Sequence, residues 1–151
     1  MNILANVFKK VTIVLILLSL NLDANAQEKG NFAVGGRIVL IGAGAKFQYN
    51  VTDPIRLEAS ITRVTAIIID AIDFSVNGHY LFPVSNKINL YPFVGFSIGD
   101  FSVLGMDAGT EFCFDFGGGI DIKLGSNRIL NFDIKYPAAY LAFSAGLAWM
   151  F

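Results

Sequence analysis

Few side chains in this sequence are of a type that carries chemistry. His79 is the single histidine, in Asn77-Gly78-His79-Tyr80. An imidazole titrates near neutrality and can act as a general base, but alone His79 reads as a hydrogen-bonded interior histidine. Asp115, Asp121 and Asp133 could share a proton as an acid pair. Lys123 and Lys135 interleave with them, which points instead to an ion-pair network. Gly117-Gly118-Gly119 and Gly42-Ala43-Gly44 resemble phosphate loops only in composition, since neither opens a helix. Asn50-Val51-Thr52 is a formal glycosylation sequon inside a tight turn. One cysteine, Cys113, and one histidine cannot form an intramolecular disulfide or a structural zinc cluster. No cofactor and no metal are therefore expected, and a net charge of −1 argues against nucleic acid.

The elements that hold these residues follow from an unusual composition. Of 151 residues, 54 % are hydrophobic and 15 % charged, against about a quarter charged in an average soluble domain. Part of the excess lies in an N-terminal segment. Lys9 and Lys10 precede an apolar run from Val11 to Leu20, and Ala24-Asn25-Ala26 fits a small-x-small cleavage site before Gln27. The run is shorter than the ~20 residues a spanning helix needs, so residues 1–26 read as a removed signal peptide rather than an anchor. No cysteine follows the site to carry a lipid. Residues 27–151 form one domain and contain no apolar run of helix-spanning length, so any membrane part must be built of strands.

Alternation is the dominant signal in that domain. Between Phe112 and Leu124, Phe112, Phe114, Phe116, Gly118, Ile120, Ile122 and Leu124 alternate with Cys113, Asp115, Gly117, Gly119, Asp121 and Lys123. The same period runs from Ile72 to Phe82, from Leu130 to Tyr136 and from Leu141 to Phe151. A period of two belongs to strands. Tight turns are marked by Thr52-Asp53-Pro54, Ser85-Asn86-Lys87 and Gly125-Ser126-Asn127-Arg128. Their flanks repeat: Tyr49-Asn50-Val51 before Ile55-Arg56-Leu57, Phe82-Pro83-Val84 before Ile88-Asn89-Leu90, Ile122-Lys123-Leu124 before Ile129-Leu130-Asn131. Looser connections are expected near Ile41–Gly44, Ala66–Asp70, Leu104–Thr110 and Pro137–Tyr140. Three turns and four loops join eight strands, and an all-β, eight-stranded, antiparallel up-and-down barrel follows, because closure removes both sheet edges.

Alternation does not say which face is inside. A soluble lipocalin-like barrel keeps its apolar face around a ligand; a membrane barrel turns it to lipid. The polar face carries Arg37, Lys46, Arg56, Lys123 and Lys135 with Glu58, Asp73, Asp115, Asp121 and Asp133, five charges of each sign. Such a balance suits a filled interior of paired charges. Gly35, Gly95, Gly99, Gly117, Gly119 and Gly146 share that parity and would leave space for the long cationic stems. The other face holds too many large aromatics for so narrow a lumen, so the sequence reads as apolar-out and polar-in. Tyr49, Phe82, Trp149 and Phe151 then fall near the turns, and Tyr136 and Phe112 near the opposite rim, as two aromatic girdles. Arg63 has outward parity: either it snorkels to a lipopolysaccharide phosphate or the register shifts there.

The signal segment, the hairpin repeat, the Tyr91-Pro92-Phe93-Val94-Gly95-Phe96 strand and the closing Trp149-Met150-Phe151 together resemble the small eight-stranded outer-membrane barrels, the OmpX-like proteins and the OmpA transmembrane domain. The resemblance spans residues 27–151. It implies an outer-membrane location in a Gram-negative envelope and contact with outer-membrane lipids including lipopolysaccharide; the oligomeric state is left open by the sequence, with a monomer favoured. It also implies that Phe143, Leu147, Trp149 and Phe151 form the C-terminal signal read by the barrel-assembly machinery. Some outer-membrane barrels are lipid A hydrolases or acyltransferases that use a histidine with a nearby serine. Here the position two residues after His79 is Leu81, and His79 has lumen parity. The reading is a non-enzymatic barrel with a plugged, charge-filled lumen, acting in envelope integrity or surface interaction. A small channel is the alternative, ahead of a lipid A-modifying enzyme or a secreted lipocalin-like carrier. The apolar stretch Ala66 to Asp70 either extends a hairpin or offers a contact patch.

Overall fold

The computed structural model describes residues 30–65, 69–136 and 142–151. The signal segment, the centre of the apolar stretch (66–68) and the connection 137–141 lie outside the described residues. The chain forms β1 (Phe32–Val39), β2 (Gly42–Thr52), β3 (Ile55–Thr65), β4 (Ile69–Tyr80), β5 (Phe82–Ser85), β6 (Ile88–Val103), β7 (Met106–Lys123), β8 (Arg128–Tyr136) and β9 (Ala142–Met150). Only Leu81 separates β4 from β5, and both pair with β6, so nine segments make eight staves. Each stave is antiparallel to its neighbour, β1 pairs with β9, and β4 pairs with β6 to close the wall. The fold is an eight-stranded antiparallel barrel.

Closure carries a stagger. Paired residues lead from Ile120 through Phe132, Ala145, Ile38, Ala43, Arg63, Ile72 and Asp100 back to β7 at Thr110, ten residues from the start. For eight strands this stagger goes with a tilt of about 40°. It decides which inward residues share a level, and so which charges can meet.

The two ends differ. At one end, which also holds Gly30 and Phe151, β2–β3, β5–β6 and β7–β8 turn at the places that Asp53-Pro54, Asn86-Lys87 and Gly125-Ser126-Asn127 mark. At the other end, two connections are tighter than the sequence suggests. β1 passes to β2 through Leu40 and Ile41 alone, and β6 to β7 through Leu104 and Gly105. Leu104 and Gly105 have φ of 54° and 75°, the left-handed pair that a two-residue hairpin requires. Gly42 and Gly44 belong to the wall rather than to a loop: a Cβ on either would come within 2.2 Å of a β3 carbonyl oxygen, at Arg63 and Ile61. Their smallness serves strand contact, not turning. Ile69 and Asp70 likewise belong to β4, so that part of the apolar stretch is hairpin.

The faces divide by polarity, with Leu81, Tyr91, Phe93 and Ile129 as buried apolar exceptions. Phe47, Phe74, Phe96, Phe114, Phe132, Phe143 and Trp149 are exposed on the outside, while Arg37, Lys46, Arg56, Glu58, Asp115 and Asp121 are buried within. Stave height is uneven: β1, β8 and β9 have 8, 9 and 9 residues, whereas β6 and β7 have 16 and 18.

Candidate functional site: the filled lumen

Near the turn end, the lumen is packed around Arg56, which is fully buried. Its Nη1 donates to Asp121 Oδ2 at 2.5 Å across the barrel, and its Nη2 lies 2.9 Å from His79 Nδ1. A guanidinium only donates, so Nδ1 is the acceptor and its lone pair is engaged. The Arg56 guanidinium also sits 4.8 Å over the Tyr91 ring, a cation–π contact. Tyr91 stacks on His79 with ring centres 4.9 Å apart and planes 4° apart, and Phe93 lies 5.2 Å from the same imidazole. His79 is thus a structural member of a buried stack whose Nδ1 is not free to take a proton from a substrate.

Tyr91 and Phe93 are the residues that alternation by hydrophobicity passed over. Both face inward on β6, with Leu81 beside them. They fit because Tyr91 is paired with Gly119 and Phe93 with Gly117. A Cβ on Gly119 would lie 2.5 Å from the Tyr91 ring, and one on Gly117 would lie 2.6 Å from the Phe93 ring. These two glycines make room for aromatic rings rather than for cationic stems, an aromatic–glycine pairing across one ladder. Gly146 does face a stem: a Cβ there would lie 2.6 Å from Lys46 Nζ. The detectable signal was the parity of Tyr91 and Phe93 with Asn89, Gly95 and Ser97, read together with the glycines of the partner strand.

Above this level the polar groups form a connected web. Tyr91 donates its hydroxyl hydrogen to Asp133, which also accepts from Ser144 Oγ at 3.0 Å. Lys46 donates to Asn131 Oδ1, and Asn131 Nδ2 reaches Asp121 at 3.4 Å. Arg37 lies 3.6 Å from Glu58 and donates to Ser60 at 3.2 Å and Ser144 at 2.8 Å. Gln48 donates to Glu58 at 2.7 Å. Towards the far end, Lys135 Nζ lies 2.9 Å from Asp115 and 3.5 Å from Asp73, and Ser97 donates to Asp115 at 2.9 Å. Of the ten charged residues expected in the lumen, seven therefore lie in ion pairs: Arg37, Arg56, Glu58, Asp73, Asp115, Asp121 and Lys135. Lys46 and Asp133 join through amide and hydroxyl groups. Lys123 is half-buried at the turn end, with no ion-pair partner among the described residues.

Two further groups lie on the outer face. Arg63 points outward with an unbroken register around it, Ile61↔Phe74 to Thr65↔Asp70, so no shift occurs. It donates to Asp70 at 3.2 and 2.8 Å through Nε and Nη2. Phe143, Trp149 and Phe151 are exposed and Leu147 is half-exposed; Phe151 stacks on Phe32, ring centres 5.4 Å apart.

This architecture has solved counterparts. The N-terminal β-barrel domain of Pseudomonas aeruginosa OprF superposes with a TM-score of 0.65 at 16 % identity, covering 83 % of this chain and 100 % of that one. Neisserial surface protein A gives 0.61 at 16 % identity over 81 % and 94 %. The fold is that of the small outer-membrane barrels. A de novo designed transmembrane β-barrel matches as well, with a TM-score of 0.67 at 15 % identity over 83 % and 99 %. No protein-family model and no curated protein matches the chain. A small outer-membrane barrel wall that a design without natural history reproduces does not by itself specify an activity.

Proposed function

We propose that this protein is an integral outer-membrane barrel, exported by residues 1–26 and assembled through Phe143, Leu147, Trp149 and Phe151. Its wall sits among outer-membrane lipids, with Arg63 at the level of lipopolysaccharide phosphates. Its role is non-enzymatic, in envelope integrity or surface interaction, and its lumen is closed. The observation that carries the closed lumen is the Arg56 level. There Arg56, His79, Tyr91, Phe93 and Asp121 are all buried and linked through Arg56 and His79, in a barrel only wide enough for side chains. Engagement of His79 Nδ1 by Arg56 supports a role without catalysis.

Location and conduction are tested separately. Protein in outer-membrane extracts is expected to migrate differently in SDS unboiled and boiled, as heat-resistant barrels do; recovery in the aqueous fraction with no shift would refute the membrane reading. Purified, folded protein in planar bilayers is expected to carry no stable current. A steady conductance altered by replacing Arg56 or Lys123 would instead establish a small channel.

A further inference from the structure

At the turn end, β7 finishes between two cations. The amides of Lys123 and Leu124 donate to the carbonyl oxygens of Lys87 and Arg128 at 2.7 and 2.8 Å. Lys87 in the β5–β6 turn and Arg128 at the head of β8 therefore stand on either side of β7, about 10 Å apart at two strand spacings. Arg128 alternates with buried Ile129 and pairs with exposed Trp149, so it faces the lipid side. Both cations are exposed, and neither has an ion-pair partner among the described residues. No aspartate or glutamate occurs in 81–99, 122–132 or 142–151. Asp121 lies close in sequence but faces inward, held by Arg56.

Beyond these cations the outer wall is hollowed. A groove of about 700 Å³ is lined by Leu90, Ile120, Gly118, Phe132, Ala145 and Phe143, all of outward parity. It begins at Leu90, just past Lys87 on β6, and crosses β7 and β8 towards Phe143 at the far end of β9. Gly118 is its floor. A Cβ there would come no closer than 3.4 Å to the Tyr91 carbonyl oxygen, an ordinary contact, whereas one on Gly117 or Gly119 would collide with the Phe93 or Tyr91 ring. Packing of the wall thus requires glycine at 117 and 119 but not at 118, where the missing side chain only deepens the outer surface. A hydrocarbon chain fits such a groove, but apolar contact does not choose among lipids that share the same chains. Two unpaired cations at its lower end do, by favouring a headgroup of net negative charge.

We propose that this sector binds one anionic phospholipid of the turn-end leaflet, with its phosphate between Lys87 and Arg128 and an acyl chain in the groove over Gly118. The inference rests on the membrane reading above and adds to it a choice among lipids. Arg63 lies at the other end of the wall, in the opposite leaflet. An acidic protein at the turn end could meet Lys87 but not the groove, which opens on the lipid-facing wall.

The chain's single tryptophan is the probe, since Trp149 lies opposite Arg128 on the ladder and is 42 % exposed. The whole folded protein is placed in phosphatidylcholine vesicles containing a rising fraction of either phosphatidylglycerol or phosphatidylcholine brominated on its chains. Quenching of Trp149 then reads the relative affinity of the two. Brominated phosphatidylglycerol is expected to bind about fivefold more tightly. That preference should vanish in K87Q combined with R128Q and shrink as salt is raised. G118L keeps both cations but fills the floor of the groove, and should lose most of the preference because the chain no longer holds the headgroup in place. The heat-dependent gel shift confirms that each variant folds. Equal quenching by the two lipids overturns the proposal and leaves the membrane reading standing. So does a preference that survives loss of both cations, one that G118L leaves unchanged, or one that inorganic phosphate abolishes at constant ionic strength, which would assign the cations to a free anion. Quenching by neither lipid would refute the membrane reading itself and the proposal with it.

Discussion

Two arginine–aspartate pairs in this barrel have similar closest distances and opposite surroundings. Arg56 and Asp121 are 2.5 Å apart with both side chains at 0 % exposure; Arg63 and Asp70 are 2.8 Å apart with 64 % and 45 % exposure. Distance alone would rank them as equals. The difference is solvent. Within the lumen neither charge can fall back on water, so each is committed to its partner and to the hydrogen bonds around it. On the outer face both ions retain much of their hydration, and the pair adds little beyond what water already supplies. The buried pair acts as a keystone of the packing, while the exposed one sets local orientation at the rim.

The sharpest way to break this contrast is to remove one buried partner. Asp121→Asn leaves the fully buried Arg56 charge without its counterion and is expected to destabilise the barrel by about 3–5 kcal/mol, read as a lower urea midpoint for unfolding from lipid vesicles. Replacing both members, R56M with D121L, removes the charge and its counterion together. It should recover most of that loss, because apolar groups of similar size often substitute a buried pair at little net cost. A double variant as unstable as Asp121→Asn would mean that the cation–π and histidine contacts of Arg56, not its charge balance, hold this level together.

Lys135 lies between the extremes. It bridges Asp115, fully buried, and Asp73, 21 % exposed at the side chain, near the far end of the lumen. Lys135→Met should cost about 1–3 kcal/mol in the same assay, less than Asp121→Asn because Asp73 can turn to water. If Asp73→Asn on the Lys135→Met background restores the midpoint, repulsion between the two freed carboxylates is the cause of the loss.

Why these pairs were only half legible in the sequence follows from the same geometry. Peptide geometry sends alternate residues to opposite faces, so Arg56, Asp121, Lys135 and Asp115 could all be placed inside by parity. Their partners could not be read, because a partner is set by height as well as by face. Height depends on the ten-residue stagger, which brings Arg56 of β3 level with Asp121 of β7, 65 positions later in the chain. Tyr91 and Phe93 escaped for a different reason. Hydrophobicity sends aromatics to the lipid side, and only their pairing with Gly119 and Gly117 reveals space within. The glycines at Gly42 and Gly44 misled in the opposite direction, since close contact between strands and a loop both call for a residue without a side chain.

The smallest expected effect completes the comparison. Asp70→Asn removes the ion pair at the outer rim while leaving β3 and β4 paired, Thr65 still opposite residue 70. The urea midpoint should not change measurably, since an exposed pair trades its attraction against hydration and side-chain freedom. Raising the salt concentration should be equally without effect on the Arg56 level, where both side chains are fully buried, and should weaken only what Arg63 and Asp70 retain. A clear loss of stability in Asp70→Asn would show that the surroundings of this pair are not aqueous. In the bilayer interface Arg63 would then depend on Asp70 much as Arg56 depends on Asp121, and the rim would lie deeper in the apolar layer than its exposure suggests.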